Sequence, residues 1–148
     1  MYKRILVAVD GSNISHRALH EAVGLSKALQ AKLRIVTVVE AAMISGKADY
    51  VDFSEVRKTV IRYGEEVQQK AKQLAQEGGV EAEISLIEIK RTGDRVTDMI
   101  SKEADDWPAD LIVIGTHGRR GFNSLLMGSV ADGVMRIATK PVLLIRGN

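Results

Sequence analysis

Asp110-Leu111-Ile112-Val113-Ile114-Gly115-Thr116-His117-Gly118-Arg119-Arg120-Gly121, followed through Gly128-Ser129 into a helical pattern that reaches Ala138, is the stretch from which the fold is read. Four consecutive apolar residues bounded by Asp110 and Gly115 predict a strand buried on both faces, the kind found in parallel sheets. Gly115, Gly118 and Gly121 have no Cβ to keep the chain away from a ligand, so their amides can face an anion. Ser129 stands three residues before Asp132, a capping-box-like spacing that predicts a helix starting there. The first N–H groups and the positive dipole end of such a helix suit a phosphate. Arg119 and Arg120 add charge in the same loop, and the guanidinium fork matches phosphate oxygens. The plainer alternative is that these glycines only shape a surface loop.

Working outward, strand and helix alternate along the whole chain. A β-branched run at about Arg4 to Val9 predicts a first doubly buried strand. Asp10-Gly11-Ser12-Asn13 offers caps to a helix reaching about Gln30, with an apolar face of Leu19, Ala22, Val23 and Leu29. Strand 2 is read at Leu33 to Val39, and periodicity is lost from Glu40 to Asp52, a loop placed to flank a ligand. A second helix, about Phe53 to Gln76, carries Val56, Val60, Tyr63, Val67, Ala71 and Leu74 at three- and four-residue spacing and stops at Gly78-Gly79. The imperfect alternation of strand 3, about Glu81 to Ile89, suggests a position nearer the sheet edge. Thr92-Gly93-Asp94 introduces a third helix to about Ala104. Trp107-Pro108 breaks the chain before strand 4, a fourth helix covers about Ser129 to Ala138, and Pro141 leads into strand 5. This order calls for an α/β sandwich: a parallel sheet with helices on both faces.

The spacing matches neither of two familiar phosphate loops. No Gly-Lys-Ser or Gly-Lys-Thr is present, and the first strand ends in Asp10-Gly11-Ser12 rather than a dinucleotide fingerprint. With 148 residues, 45% of them hydrophobic, the chain is expected to form one domain over residues 1–148. Lys and Arg total 21 against 19 Asp and Glu, a net charge of +2. These charges are interspersed rather than gathered into a stripe, which argues against a nucleic-acid surface. There is no cysteine, so disulfides, thiolate metal sites and cysteine nucleophiles are excluded. The apolar run from Ile5 to Val9 is too short for a signal peptide or membrane span, and a cytoplasmic protein with no membrane partner is expected.

Among chemistry-bearing residues, Asp10 ends strand 1, where a carboxylate suits a ribose hydroxyl or a magnesium ion beside phosphates, or else an N-cap. His16 and His20 lie four apart but lack a third metal ligand, and read as surface histidines. His117, inside the glycine loop, either donates to a phosphate or faces solvent. Asp105, Asp106 and Asp110 precede strand 4, at the opposite end of the sheet from a ligand crevice, and read as a solvated turn.

The pattern Gly-x-x-Gly, nine residues, Gly-Ser, formed by Gly115, Gly118, Gly128 and Ser129, resembles the ATP-binding branch of the universal stress protein family. So do the opening Ile5-Leu6-Val7-Ala8-Val9-Asp10-Gly11-Ser12, the Asp110 to Gly115 strand and the closing Lys140-Pro141-Val142-Leu143-Leu144-Ile145, so the resemblance spans essentially the whole chain. It implies a single-domain three-layer sandwich with a five-stranded parallel sheet in the order 3-2-1-4-5. It implies an ATP site with adenine at Val38, ribose at Asp10 with Ala8 and Val9 alongside, and phosphates along Gly115, His117, Gly118 and Arg119 and along Gly128, Ser129 and Val130, with magnesium accompanying them. Strand 5, Val142 to Ile145, would lie at an edge, which proteins usually cover. Homodimers through this strand are common in similar proteins, so a dimer is expected; the alternative is that the C-terminal tail or a helix shields it. The implied role is a nucleotide-dependent stress-response module. The rivals are a slow ATPase or self-phosphorylating enzyme, and a ligand-free interaction protein. AMP or a cyclic nucleotide remains open beside ATP.

Overall fold

Two strands built almost wholly from branched apolar residues, β1 (Arg4–Ala8) and β4 (Leu111–Gly115), form the centre of the sheet. Every residue of β4 is buried, and Ile5, Leu6 and Val7 of β1 are fully enclosed. The strands pair in parallel with Ile5 opposite Leu111 and Val7 opposite Val113. A computed structural model describes residues 1–41, 53–91, 93–117 and 127–147. Around the central pair, β2 (Lys32–Val39) joins β1, β3 (Ala82–Glu88) joins β2, and β5 (Val142–Ile145) joins β4, all in parallel. The order is therefore β3-β2-β1-β4-β5, as the resemblance implied. Alternate side chains of each strand point to opposite faces, so each face receives its own core.

One face packs under α1 (Asn13–Leu29) and α2 (Phe53–Glu77), where Ile5, Val7, Leu33, Ile35 and Val113 meet Leu19, Ala22, Val67 and Ala71. The other packs under α3 (Val96–Asp106) and α4 (Ser129–Ile137), where Leu6, Val36 and Ile112 meet Ile100, Ala104 and Val134. The helices change sides when the chain crosses from β3 to β4, so strand order reverses between β1 and β4. That is where open α/β sheets leave a crevice. No helix among the described residues is long and apolar enough to cross a membrane.

The expected elements stand to within a few residues, with four corrections of detail. Leu29 and Leu74 were assigned to the apolar stripes but are 41% and 43% exposed. Their helices turn them outward, while Ser26 and Ala75 take the inward positions. The cap of α1 is Ser12, whose hydroxyl accepts from the Ser15 amide, and not Asp10. The cap of α4 is Gly128, which places Ser129 in the first helical position; Asp132 turns instead to Arg136 at 3.0 Å. Third, α3 runs on to Asp106 and ends at Trp107. Fourth, Asp110 is not a solvated turn residue. Its carboxylate accepts the backbone N–H groups of Lys3 (2.8 Å) and Arg4 (2.9 Å), fastening the start of β1 to the start of β4. Asp105 and Asp106, by contrast, are exposed.

The amino end of the sheet is closed by a cationic stack on the buried Trp107. Arg34 lies 4.8 Å and Arg4 5.7 Å from the ring centroid, and Arg34 also pairs with Glu83 of β3 and Glu103 of α3. Such contacts join β1, β2, β3 and α3 at the end of the sheet away from the crevice.

The Lys3 N–H, followed by the Arg4 N–H, holds the Asp110 carboxyl below its ordinary value of 3.8, against an opposing contribution from desolvation. Because the folded value is the lower one, the stabilisation is complete above the unfolded pKa and fades as pH falls through the folded one. Asp110→Asn should cost about 1 kcal/mol at neutral pH, below the usual range for a charge-assisted bond because the site is partly solvated. Urea denaturation should show that difference shrinking below about pH 4.

Candidate functional site

The carboxyl ends of β1 and β4 are neighbours, so the turn after β1 and the segment after β4 open on the same crevice. The turn is Asp10-Gly11-Ser12. Gly11 has φ +87°, a left-handed conformation that residues with a Cβ rarely adopt. The Asp10 side chain accepts from the Ser12 amide at 2.9 Å, an Asx-type turn. The Asp10 amide donates to the Ser15 hydroxyl at 3.3 Å, and that hydroxyl donates in turn to the Ser12 carbonyl. Asp10 is thus locked into the turn with one carboxylate oxygen engaged. A carboxylate of this kind at a strand end can accept from a sugar hydroxyl or join a hydrated magnesium ion.

After β4, the Thr116 amide donates to Ile145 of β5, and the Gly128 amide donates back to the Thr116 carbonyl at 2.6 Å. That second bond returns the chain to the strand end and sets the start of α4 beside Gly115 and Thr116. The cap residue of α4 is a glycine and brings no side chain to its own first turn, leaving backbone amides as the groups an anion would meet. His117 is half-buried, with Nδ1 3.0 Å from the Thr116 hydroxyl.

Three expected site residues converge on one face. Ala8, Val38 and Val130 are partly buried against the same α3–α4 core, at the carboxyl ends of β1 and β2 and the start of α4. A planar apolar group entering there would meet hydrocarbon. Val9 differs from them: its side chain is 2% exposed in the opposite core and its amide donates to Val36, so its carbonyl is what remains for a ligand. Gly128 is half-buried and Ser129 exposed at the helix start. Gly118 and Arg119, with Arg120, Gly121 and most of the loop expected at 40–52, lie outside the described residues. His16 and His20 are exposed on α1, and no group of three or more His, Cys, Asp or Glu among the described residues could hold a metal.

Gly115 proves to have a reason the sequence did not reveal. A Cβ there would come under 3.0 Å from Ile14 Cγ2, and Ile14 also packs on Gly147. The glycine lets the first turn of α1 press onto the end of β4. Two further residues were missed. Ser15 could have been found from the Ser12-x-x-Ser15 spacing. Tyr63, whose hydroxyl donates to the Asp10 carbonyl at 3.2 Å, carries no local signal because it lies 53 residues away. Beside the crevice, at the ends of β2 and β3, Ala41, Phe53, Arg57, Glu88, Ile89 and Lys90 line an open groove of about 330 Å³. Arg57 forks onto Glu88 with bonds of 2.6 and 2.8 Å, holding that carboxyl below its ordinary range.

Gly115→Ala should destabilise the fold by about 1–3 kcal/mol through overpacking. Combining it with Ile14→Ala should cost less than the sum of the single changes, a coupling that a double-mutant cycle in urea would measure.

Comparison with known proteins adds to this geometry. The model of the universal stress protein family matches residues 1–146. Universal stress protein YxiE of Bacillus subtilis is 33% identical over 155 residues, covering 99% of this chain and all of its own. The structure of the universal stress protein from Archaeoglobus fulgidus in complex with dAMP superposes with a TM-score of 0.71 at 28% identity, covering 97% of this chain and 98% of that one. A universal stress protein crystallised in complex with cAMP gives 0.72 at 26%, with 97% of each chain covered. On the match of sequence and of sheet order alike, this chain belongs to the universal stress protein family.

Proposed function

We propose that the protein is an ATP-binding, nucleotide-dependent regulatory module of the stress response, working in the cytoplasm. The observation that carries the reading is the crevice at the β1–β4 switch point, where the locked Asp10 turn, the apolar trio Ala8, Val38 and Val130, and the glycine-capped start of α4 meet. In this reading adenine lies against Val38 and the ribose at Asp10. The phosphates run along Gly115, His117, Gly118 and Arg119 and over Gly128, Ser129 and Val130, with magnesium carried on them. Support comes from relatives described in complex with dAMP and with cAMP. The glycine pattern adds to it, since Gly115, Gly118, Gly128 and Ser129 are all present. Regulation follows if liganded and free forms differ in affinity for a partner, because a ligand shifts an equilibrium only by its differential affinity.

The exposed edge of β5 supports a homodimer. Leu143 is 36% exposed on an apolar edge strand, and pairing with a second copy would cover it. Leu143→Arg should yield a monomer by sedimentation velocity where the native chain sediments as a dimer.

Calorimetric titration of nucleotide-free protein with ATP and magnesium, then with AMP and cAMP, tests the ligand. Saturable ATP binding, abolished in Gly118→Val while the thermal midpoint holds, is the expected result. Unchanged affinity in that variant would remove the site assignment.

A further inference from the structure

We propose, on the nucleotide reading above, that Tyr63 is a positioning residue for the site, holding the Asp10 turn in its ligand-receiving form from helix α2. The Asp10 turn is held by bonds from two sources. Those to Ser12 and Ser15 come from the strand–helix unit itself. The bond from the Tyr63 hydroxyl to the Asp10 carbonyl comes from a separate element on the α1–α2 face of the sheet. The hydroxyl is also packed against the turn: a Cβ at Gly11 would lie 2.6 Å from the Tyr63 oxygen and 3.2 Å from Val67 Cγ2. The Tyr63 hydroxyl thus occupies the space that a side chain at position 11 would need.

The strut is stiff because α2 cannot readily move off the sheet. Gly64, the next residue, is buried so closely that a Cβ on it would come 2.7 Å from Leu86 Cδ1 and 2.8 Å from Val39 Cγ1. One turn further on, Gln68 is 3% exposed and its amide donates to Ile35 and Ser85 carbonyls of β2 and β3. The Tyr63 ring itself rests on the core beneath β1. A shift of the turn would break the bond from the Ser12 amide that orients the Asp10 carboxylate, and Tyr63 opposes that shift by holding the Asp10 carbonyl. A ligand that needs Asp10 in one direction then binds a turn already set, with less ordering to do on association.

The test compares full-length wild type, Tyr63→Phe and Ala75→Gly, each stripped of nucleotide and titrated calorimetrically with ATP and magnesium, with thermal midpoints recorded alongside. Tyr63→Phe keeps the ring and removes only the hydroxyl. Ala75→Gly loosens the same helix about three turns away without touching the turn. The expected result is an affinity about three- to ten-fold weaker in Tyr63→Phe, the range one hydrogen bond commands, with Ala75→Gly binding as the wild type does despite a lower midpoint. Unchanged affinity in Tyr63→Phe, or equal weakening in both variants, overturns the inference while the nucleotide reading stands. A wild type that binds no adenine nucleotide overturns the reading and the inference together.

Discussion

The parallel pairing of β1 with β4 is the constraint from which the rest of the molecule follows. Because β1 already has β2 on its other side, the chain must leave β3, cross to the opposite face through α3 and return beside its own first strand. That crossing puts α1 and α2 on one face and α3 and α4 on the other, and it opens the sheet at the carboxyl ends of β1 and β4. Asp110 secures the arrangement from the far end, since two amides at the start of β1 converge on its carboxylate. The stack of Arg4 and Arg34 on Trp107 closes the same end, with Arg34 paired to Glu83 and Glu103. The fold thus divides into a fastened amino end and a crevice at the carboxyl end.

The crevice owes its chemistry to backbone more than to side chains. A left-handed glycine after β1 and a glycine cap at α4 present peptide groups where a larger residue would interpose a Cβ. The bond from Gly128 to Thr116 brings the start of α4 back to the strand it left, so the positive end of a helix lies at the switch point. The apolar trio on the α3–α4 face supplies the complementary surface, and the two together suit a molecule with one flat apolar part and one anionic part.

Much of this was legible from residue order. The doubly buried runs Ile5 to Val9 and Leu111 to Ile114 reveal a parallel sheet because only strands covered on both faces are apolar without alternation. The glycine spacing singled out the end of β4 as the candidate site. What stayed hidden depends on contacts between distant residues. Asp110 looked like a solvated turn because its partners lie more than a hundred residues back. Gly115 looked like a ligand contact alone because Ile14 gives no sign of its destination. Tyr63 was one more member of an apolar stripe. The start of α4 was misplaced by one residue, since the choice between Gly128 and Ser129 rests on the backbone angles of a single position.

The most direct measurement is the amide spectrum of isotopically labelled protein as ATP and magnesium are added. Shifts should concentrate at Ala8 to Ser12, Val38, Gly115 to His117 and Gly128 to Val130, with Lys3, Arg4 and Trp107 at the far end nearly unmoved. Shifts centred on the Trp107 end, or a spectrum indifferent to saturating nucleotide, would contradict that expectation.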